Sequence, residues 1–367
     1  MRISLLTSSR ADYGIYLPLL KILKEDPFFD LNIIVFGTHL SKSHGHTIDD
    51  IIADGFEVGH QVKTILGDTP KEVSLSMALT IHEFSEIWNV ETEKTDLIIC
   101  LGDRYEMFAA VTASIPFGIP IAHIHGGETT LGAIDNIFRH SLTMMSTYHF
   151  ASTQAHADKV KMLIGTEKNI FTIGSLSLDN LDSIKLLSLE KFKLKFNIDM
   201  SKPTILVTFH PETISFEKNE EYVHILSSVF SALPDFQIVI TMPNADTMGN
   251  VIRSEFESLG TKYNHIITVE NFGIQGYFTI MKHCSFLLGN TSSGIIEAAS
   301  FKKYVINLGD RQKGRAAGEN VIHTKIKKEV ILQAIKKLTL VGDFQGENIY
   351  KGNNLASQQL IKALKNI

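Results

Sequence analysis

Two cysteines, one tryptophan and nine prolines are few for 367 residues, and each shortage excludes something. So small a cysteine count rules out a disulfide scaffold. Cys100 and Cys284 both close apolar, strand-like runs and read as buried free thiols of a reducing compartment, so the expected location is the cytoplasm. Basic charge is not in excess, with 35 Lys and Arg against 40 Asp and Glu, and no lysine and arginine stripe is interleaved with aromatics. Nucleic acid is therefore excluded as a partner, and any anion has to be met by local groups. No apolar run approaches the roughly 20 residues of a membrane span. The segment Met1–Thr7 is too short for a secretory signal core and reads as a first strand, so no membrane partner is expected. What is present, 44% hydrophobic and 20% charged residues, suits two globular domains of ordinary size.

Short β-branched runs alternate with longer amphipathic segments. Strands are expected at 3–6, 32–36, 97–101, 120–123, 149–151 and 169–173, with helices at about 13–24, 71–89, after Arg104, and across 134–145. A polar, lysine-rich stretch follows, and the alternation then restarts with strands at 204–208, 236–241, 265–269, 286–288 and 304–307. Helices fall between them, around 221–232, 247–259, 276–282 and 295–301. This is the pattern of two doubly wound parallel sheets, so the expected class is α/β with two Rossmann-like domains and a cleft between them. The expected boundaries are 1–182, a linker at 183–203 with one short helix, 204–350, and a C-terminal helix at 351–367.

Several strand ends carry chemistry. The apolar run 285–288 leads into Gly289-Asn290-Thr291-Ser292-Ser293-Gly294 and then a helix, which suits a diphosphate facing unpaired backbone N–H groups, with Glu297 placed for a ribose diol. Taken alone, the segment also reads as a Thr or Ser cap followed by a surface glutamate. Thr7-Ser8-Ser9-Arg10-Ala11-Asp12 places an arginine at a strand-to-helix turn, either as a phosphate clamp or paired with Asp12. Gly102-Asp103-Arg104 sets a carboxylate at another strand end, for acid/base work, for capping the next helix, or for both. The run from His123 to His140 is the densest in polar groups. His123 and His125 share a strand face but have no third ligand at recognisable spacing, so no metal is expected. Gly126-Gly127-Glu128 suits a loop pressed against a ligand, and Asp135 and Arg139, four apart on a helix, share a face. In the second half, His210 ends a strand and can donate to a phosphate or a departing oxygen, while Arg311 and Arg315 lie in a glycine-rich loop.

With these residues in place, the chain resembles the hydrolysing UDP-N-acetylglucosamine 2-epimerases, in particular the bacterial branch of sialic-acid biosynthesis. The likeness rests on Ser9-Arg10-Ala11-Asp12-Tyr13, Gly102-Asp103-Arg104, Gly126-Gly127-Glu128, Ile134-Asp135, Arg139-His140, His210-Pro211, Gly289-Asn290 through Glu297, and Asn307-Leu308-Gly309 with Arg311-Gln312. It implies a glycosyltransferase-B-like fold, a UDP-sugar substrate, no metal or nicotinamide cofactor, and a homodimer. The implied reaction removes the proton on carbon 2 of the sugar, expels UDP from carbon 1 to leave a 2-acetamidoglucal, and adds water to give N-acetylmannosamine. Residue by residue, Asp103, Glu128 and Asp135 become the acid/base carboxylates, Arg139 a positioning group, and His210 the residue that assists UDP departure. Arg10, Thr291, Ser292 and Ser293 become phosphate contacts, Glu297 the ribose anchor, Arg311 a further cation, and Phe272 the residue packing on uracil. Many relatives carry a glutamate where this chain has His125, so either Glu128 takes over that role or His125 itself acts at carbon 2. A related epimerase of a UDP-2,4-diacetamido-trideoxy sugar, a retaining glycosyltransferase of the same fold and a catalytically silent nucleotide-sugar sensor are the rival readings.

Overall fold

The computed structural model describes residues 1–42, 46–67, 69–129, 134–212, 216–242 and 249–367. The first sheet contains β1 (Arg2–Thr7), β2 (Asp30–Phe36), β3 (Val58–Val62), β4 (Leu97–Leu101), β5 (Ile121–Ile124), β6 (Tyr148–Ala151) and β7 (Ile170–Thr172), in the spatial order 3-2-1-4-5-6-7. The second contains β8 (Thr204–Thr208), β9 (Gln237–Thr241), β10 (Ile266–Val269), β11 (Phe286–Gly289), β12 (Val305–Leu308) and β13 (Val321–Thr324), in the order 10-9-8-11-12-13. Every described strand pair is parallel.

The chain forms two compact units: Met1–Glu128 with Ile134–Asp182 and Tyr350–Ile367, and Thr129–Ala133 with Ser183–Ile349. In the first, successive residues of one strand feed opposite faces of the sheet. Ile33, Val35, Ile99 and Leu101 join one apolar cluster, while Ile34, Phe36, Ile98 and Cys100 join another. The C-terminal helix Ala356–Leu364 buries Leu360, Ile361 and Leu364 in the same cluster as Tyr16, Leu19 and Leu23 of helix Arg10–Glu25. Pro18 lies inside that second helix and cannot donate to the carbonyl of Gly14, which accepts instead from Asn180 Nδ2 at 2.9 Å. Among the described residues, the second unit has one cluster, drawing Ile205, Val207, Ile238, Ile240, Leu288 and Ile306 from its strands. Among the described residues, no helix is long and apolar enough to cross a membrane.

Several segments depart from the sequence expectation. The edge strands β3 and β13 and the helices Ile48–Ala53, Gln154–Ile164 and Lys328–Leu338 were not anticipated. The helix expected across 295–301 is a short α-helix, Ser292–Ile296, followed by a 3-10 turn, Ala298–Phe301. The helix expected from 247 is described from Gly249 to Lys262, and residues 247 and 248 lie outside the described residues.

Both sheets reverse strand order at one place, between β1 and β4 and between β8 and β11. At such a switch point the following loops leave to opposite faces, so the carboxyl ends of the two strands are open to a ligand. Gly289 ends β11 there with φ +148°, and a Cβ would run into the carbonyl oxygen of Thr208 on neighbouring β8. Gly289→Ala is therefore expected to cost about 2 kcal/mol or more and to lower the thermal unfolding midpoint. Gly14→Ala, with open space around the added methyl, serves as the control in the same calorimetric scan.

Candidate active site

At the carboxyl ends of β4 and β5, beside the switch point of the first unit, three of the expected groups meet one guanidinium. Arg139 comes from helix Asp135–Met145 and is only 4% exposed. One Nη donates to Asp103 Oδ2; the other donates to the backbone carbonyl of His125 at 2.9 Å and stands 3.7 Å from Glu128 Oε2. Arg139 thus ties the end of β4 to the loop after β5. Asp103 does not cap the next helix, which starts at Tyr105 without a side-chain cap, and Arg139 pairs with Asp103 rather than with Asp135. Arg104 is engaged by buried Glu106 at 2.8 Å.

The loop after β5 is built by two left-handed residues, His125 (φ 64°) and Gly127 (φ 78°). At Gly127 a Cβ would meet the His156 carbonyl, so the loop can press against helix Gln154–Ile164 only with glycine there. Glu128 is 2% exposed, with His125 Nδ1 3.6 Å from one carboxylate oxygen and Ser152 Oγ donating to that same oxygen at 2.9 Å. The expectation that His123 and His125 share one strand face fails, because β5 ends at Ile124. His123 is wholly buried, with Nε2 bonded to the Gly102 carbonyl at 2.9 Å and Nδ1 to Thr143 at 3.2 Å, and burial pushes its pKa down to about 3. It is a neutral structural imidazole with both nitrogens spoken for.

Asp135 begins the helix that carries Arg139. Burial and then the charge of Asp103 push its carboxyl up to about 6, a value suited to proton transfer near neutrality. Arg10 starts the helix after β1; it is exposed and has no side-chain partner among the described residues. The expected alternative, pairing with Asp12, does not occur. Asp12 instead accepts from the backbone N–H of Ser8 at 2.7 Å, from the Ser8 hydroxyl and from the Ser9 hydroxyl.

In the second unit, Asn290 staples the switch point. Its Oδ1 accepts from the backbone N–H of His210 at 2.7 Å and its Nδ2 donates to the His210 carbonyl at 2.8 Å, while its own carbonyl accepts from Gln312 at 2.9 Å and Arg311 at 3.3 Å. His210 Nδ1 is buried and has no hydrogen-bond partner among the described residues. Burial, and then the Arg311 charge, lower its pKa to about 4, so the imidazole is neutral and holds one N–H to donate. Thr291 caps helix Ser292–Ile296, accepting from the Ser293 N–H, while Ser292 opens that helix half-buried and Glu297 follows its end, 7% exposed. Ser293 Oγ and Tyr277 Oη are buried as well, but they interact with each other, and Tyr277 also meets the Thr208 side chain. Tyr277 was not anticipated, since nothing in Gly276-Tyr277-Phe278 separates it from helix packing.

Phe272 is placed differently from expectation. Its ring is 4% exposed, stacked on Phe192 at 5.7 Å and edge-on to Phe196 at 4.8 Å. Both are on the short helix Leu189–Phe196 of the stretch expected to be a linker, so Phe272 anchors that helix and offers no open ring face for a base.

Two stability outcomes follow from these burials. Arg139→Met leaves Asp103 and Glu128 without their shared counter-charge and is expected to cost about 3–5 kcal/mol in denaturant unfolding at pH 7. For Asp135, the folded pKa of about 6 lies above the ordinary 3.8, so the folded chain holds a proton between those values that the unfolded chain has released. That contribution is complete below 3.8 and is lost as pH rises through 6. Asp135→Asn should gain stability relative to the parent as pH rises across this window, and a flat difference would refute the burial of Asp135.

Comparisons with known proteins place the chain in a family. Residues 21–365 match the model of the family described as UDP-N-acetylglucosamine 2-epimerase. An Escherichia coli protein named polysialic acid biosynthesis protein P7 is 34% identical over 338 residues, 91% of this chain and 85% of its own. The UDP-N,N'-diacetylbacillosamine 2-epimerase (hydrolyzing) of Legionella pneumophila is 32% identical over 371 residues, covering 100% of this chain and 96% of its own. In structure, the UDP-GlcNAc 2-epimerase from Neisseria meningitidis, solved bound to UDP-GlcNAc, superposes with a TM-score of 0.84 at 17% identity over the whole of both chains, a likeness of fold. A family match over nearly the full length, relatives above 30% identity and the shared fold of two parallel sheets converge: this chain belongs to the UDP-N-acetylglucosamine 2-epimerase family.

Proposed function

We propose that the protein is a hydrolysing UDP-N-acetylglucosamine 2-epimerase, acting in the cytoplasm as a homodimer and serving sialic-acid synthesis. The observation that carries this reading is the Asp103–Arg139–Glu128 constellation, with Asp135 poised near pH 6, beside the switch point of a parallel sheet. Eliminating UDP requires a base for the proton on carbon 2 and stabilisation of the leaving diphosphate; hydration then requires a proton returned to carbon 2 from the other face and a hydroxyl added at carbon 1. The first unit supplies Asp103, Glu128, Asp135 and His125 as acid/base groups, set by Arg139. The second supplies His210 as a neutral donor to the departing oxygen, Thr291, Ser292 and Ser293 as phosphate contacts, Arg311 as a cation and Glu297 as a ribose anchor. Arg10, unpaired and exposed, is a further phosphate ligand. The buried free thiols Cys100 and Cys284 favour a reducing compartment.

The second reading is favoured by the Legionella pneumophila relative, which covers this chain end to end and is named for a diacetylated bacillosamine. On that reading the substrate is the UDP-2,4-diacetamido-trideoxy sugar and the same elimination and hydration apply.

Proton NMR of the purified protein with UDP-N-acetylglucosamine in heavy water, without metal, nicotinamide or acceptor, is the test. UDP together with N-acetylmannosamine deuterated at carbon 2 is the expected result. UDP with unlabelled N-acetylglucosamine overturns the epimerase reading, and turnover of only the diacetamido sugar selects the second. His125→Gln is expected to lower turnover by about a hundredfold or more if His125 works at carbon 2, with UDP affinity kept; unchanged turnover leaves Glu128 as the group at that carbon.

A further inference from the structure

Behind Glu128 lies a buried chain of hydrogen bonds that the reaction as described does not use. Ser152 follows β6 directly and is 1% exposed; His156 sits in the first turn of helix Gln154–Ile164 and is 4% exposed. Ser152 Oγ donates to Glu128 Oε1 at 2.9 Å and lies 2.9 Å from His156 Nδ1. A hydroxyl has one proton, and here the carboxylate takes it, so Nδ1 of His156 carries the proton of the second bond. That fixes the direction of the chain, from His156 to Ser152 to Glu128.

The surrounding structure holds the chain in place. Thr153 caps the helix, accepting from the His156 N–H at 3.2 Å. The positive helix end disfavours a cationic imidazole in that turn, and the ring packs against Tyr350 at 6.0 Å. The His156 carbonyl is also what the missing Cβ of Gly127 leaves room for, so the backbone before Glu128 and its carboxylate are both set against one turn of one helix. Among the described residues, the carboxylate also faces His125 Nδ1 at 3.6 Å and Arg139 at 3.7 Å, and Asp103 shares Arg139. Ser152 therefore makes the shortest of these contacts to Glu128.

On the reading of Glu128 as an acid/base group given above, we propose that Ser152 and His156 are positioning residues that hold the Glu128 carboxylate in its working rotamer and favour its ionised form. The hydrogen bond from Ser152 stabilises the charged carboxylate, so its loss raises the Glu128 pKa and frees its side chain to rotate. A misplaced acid/base group slows the chemical step while the binding of UDP is untouched, so the effect falls on kcat and spares KM.

The test uses the full chain. Ser152→Ala is expected to lower kcat about tenfold or more with KM nearly unchanged, and to move the Glu128 limb of the pH–rate profile to higher pH. His156→Phe keeps a ring against Tyr350 without the donor and shifts both quantities in the same direction by less. His156→Asn keeps a donor at the Nδ1 position and restores most of the loss. A second readout needs no turnover: 13C-carboxyl-labelled glutamate, with the Glu128 signal assigned by its absence in Glu128→Gln, should titrate at higher pH in Ser152→Ala than in the parent. An unmoved carboxyl titration overturns the proposal, as does a Ser152→Ala enzyme with parental kcat or one whose loss lies in KM. If the parent turns over no UDP-sugar, the functional reading fails by itself, and the carboxyl titration still decides whether Ser152 governs Glu128.

Discussion

One buried guanidinium organises the chemistry of the first unit. Arg139 is nearly solvent-free, and a charge so placed is tolerated only where it is paired and hydrogen-bonded. It meets that demand by joining Asp103 at the end of β4 to the His125 carbonyl and Glu128 in the loop after β5. Charge neutrality and loop geometry are one constraint here: the left-handed backbone at His125 and Gly127 turns the His125 carbonyl and the Glu128 side chain toward the same arginine. Asp135, on the same helix as Arg139 but outside its hydrogen bonds, keeps a raised pKa because burial and the Asp103 charge outweigh the pull of Arg104 and Arg139. Two kinds of carboxyl group result, one charge-compensated and one readily protonated, as acid and base work in one reaction requires.

The second unit reaches its working state by different means at the equivalent topological position. There an amide, Asn290, staples the backbone of His210 and gathers Arg311 and Gln312 on its own carbonyl. Burial keeps His210 neutral, and its buried Nδ1 is left without a hydrogen-bond partner among the described residues. A protein interior seldom leaves such a group unsatisfied without reason, and a donor held ready for an anion is one such reason. The contrast follows from charge: the first unit compensates its own carboxylates, whereas the second keeps a neutral donor free for a charged group brought from outside.

The sequence made the interior strands legible. Leu97–Leu101 and Thr204–Thr208 are short apolar runs buried on both faces, and their bounds agree with the structure. The motifs at their ends were legible for the same reason, since polar residues directly after a buried strand stand out. The edge strand Val58–Val62, with glycine, histidine and glutamine between two valines, has no such contrast because it is only half buried. Partnerships were harder still. Asp135 and Arg139 share a helix face, yet Arg139 pairs with Asp103, 36 residues away, because long-range packing decides which carboxylate lies within reach. Phe272 was misread because an aromatic in a loop looks alike whether it covers a ligand or a neighbouring helix. Ser152 and His156 gave no signal, since a serine after a strand and a histidine in a helix's first turn are common.

The choice between the two candidate sugars does not lie with the acid/base groups. Both substrates react at carbons 1 and 2 and carry an acetamido group at carbon 2, so on the proposed reading Asp103, Glu128, Asp135 and His210 face the same task in each. The sugars differ at carbon 4, where a hydroxyl is exchanged for an acetamido group, and at carbon 6, where a hydroxyl is lost. A pocket built to hydrogen-bond a hydroxyl can reject the analogue that lacks it by about 10⁴-fold, whereas an apolar pocket rejects an added hydroxyl by only about 10²-fold. Discrimination is therefore expected from polar residues around carbons 4 and 6, outside the proposed acid/base constellation. Relatives at 34% and 32% identity accordingly carry different names, one for polysialic acid biosynthesis and one for a UDP-N,N'-diacetylbacillosamine epimerase, while the family match runs from residue 21 to residue 365.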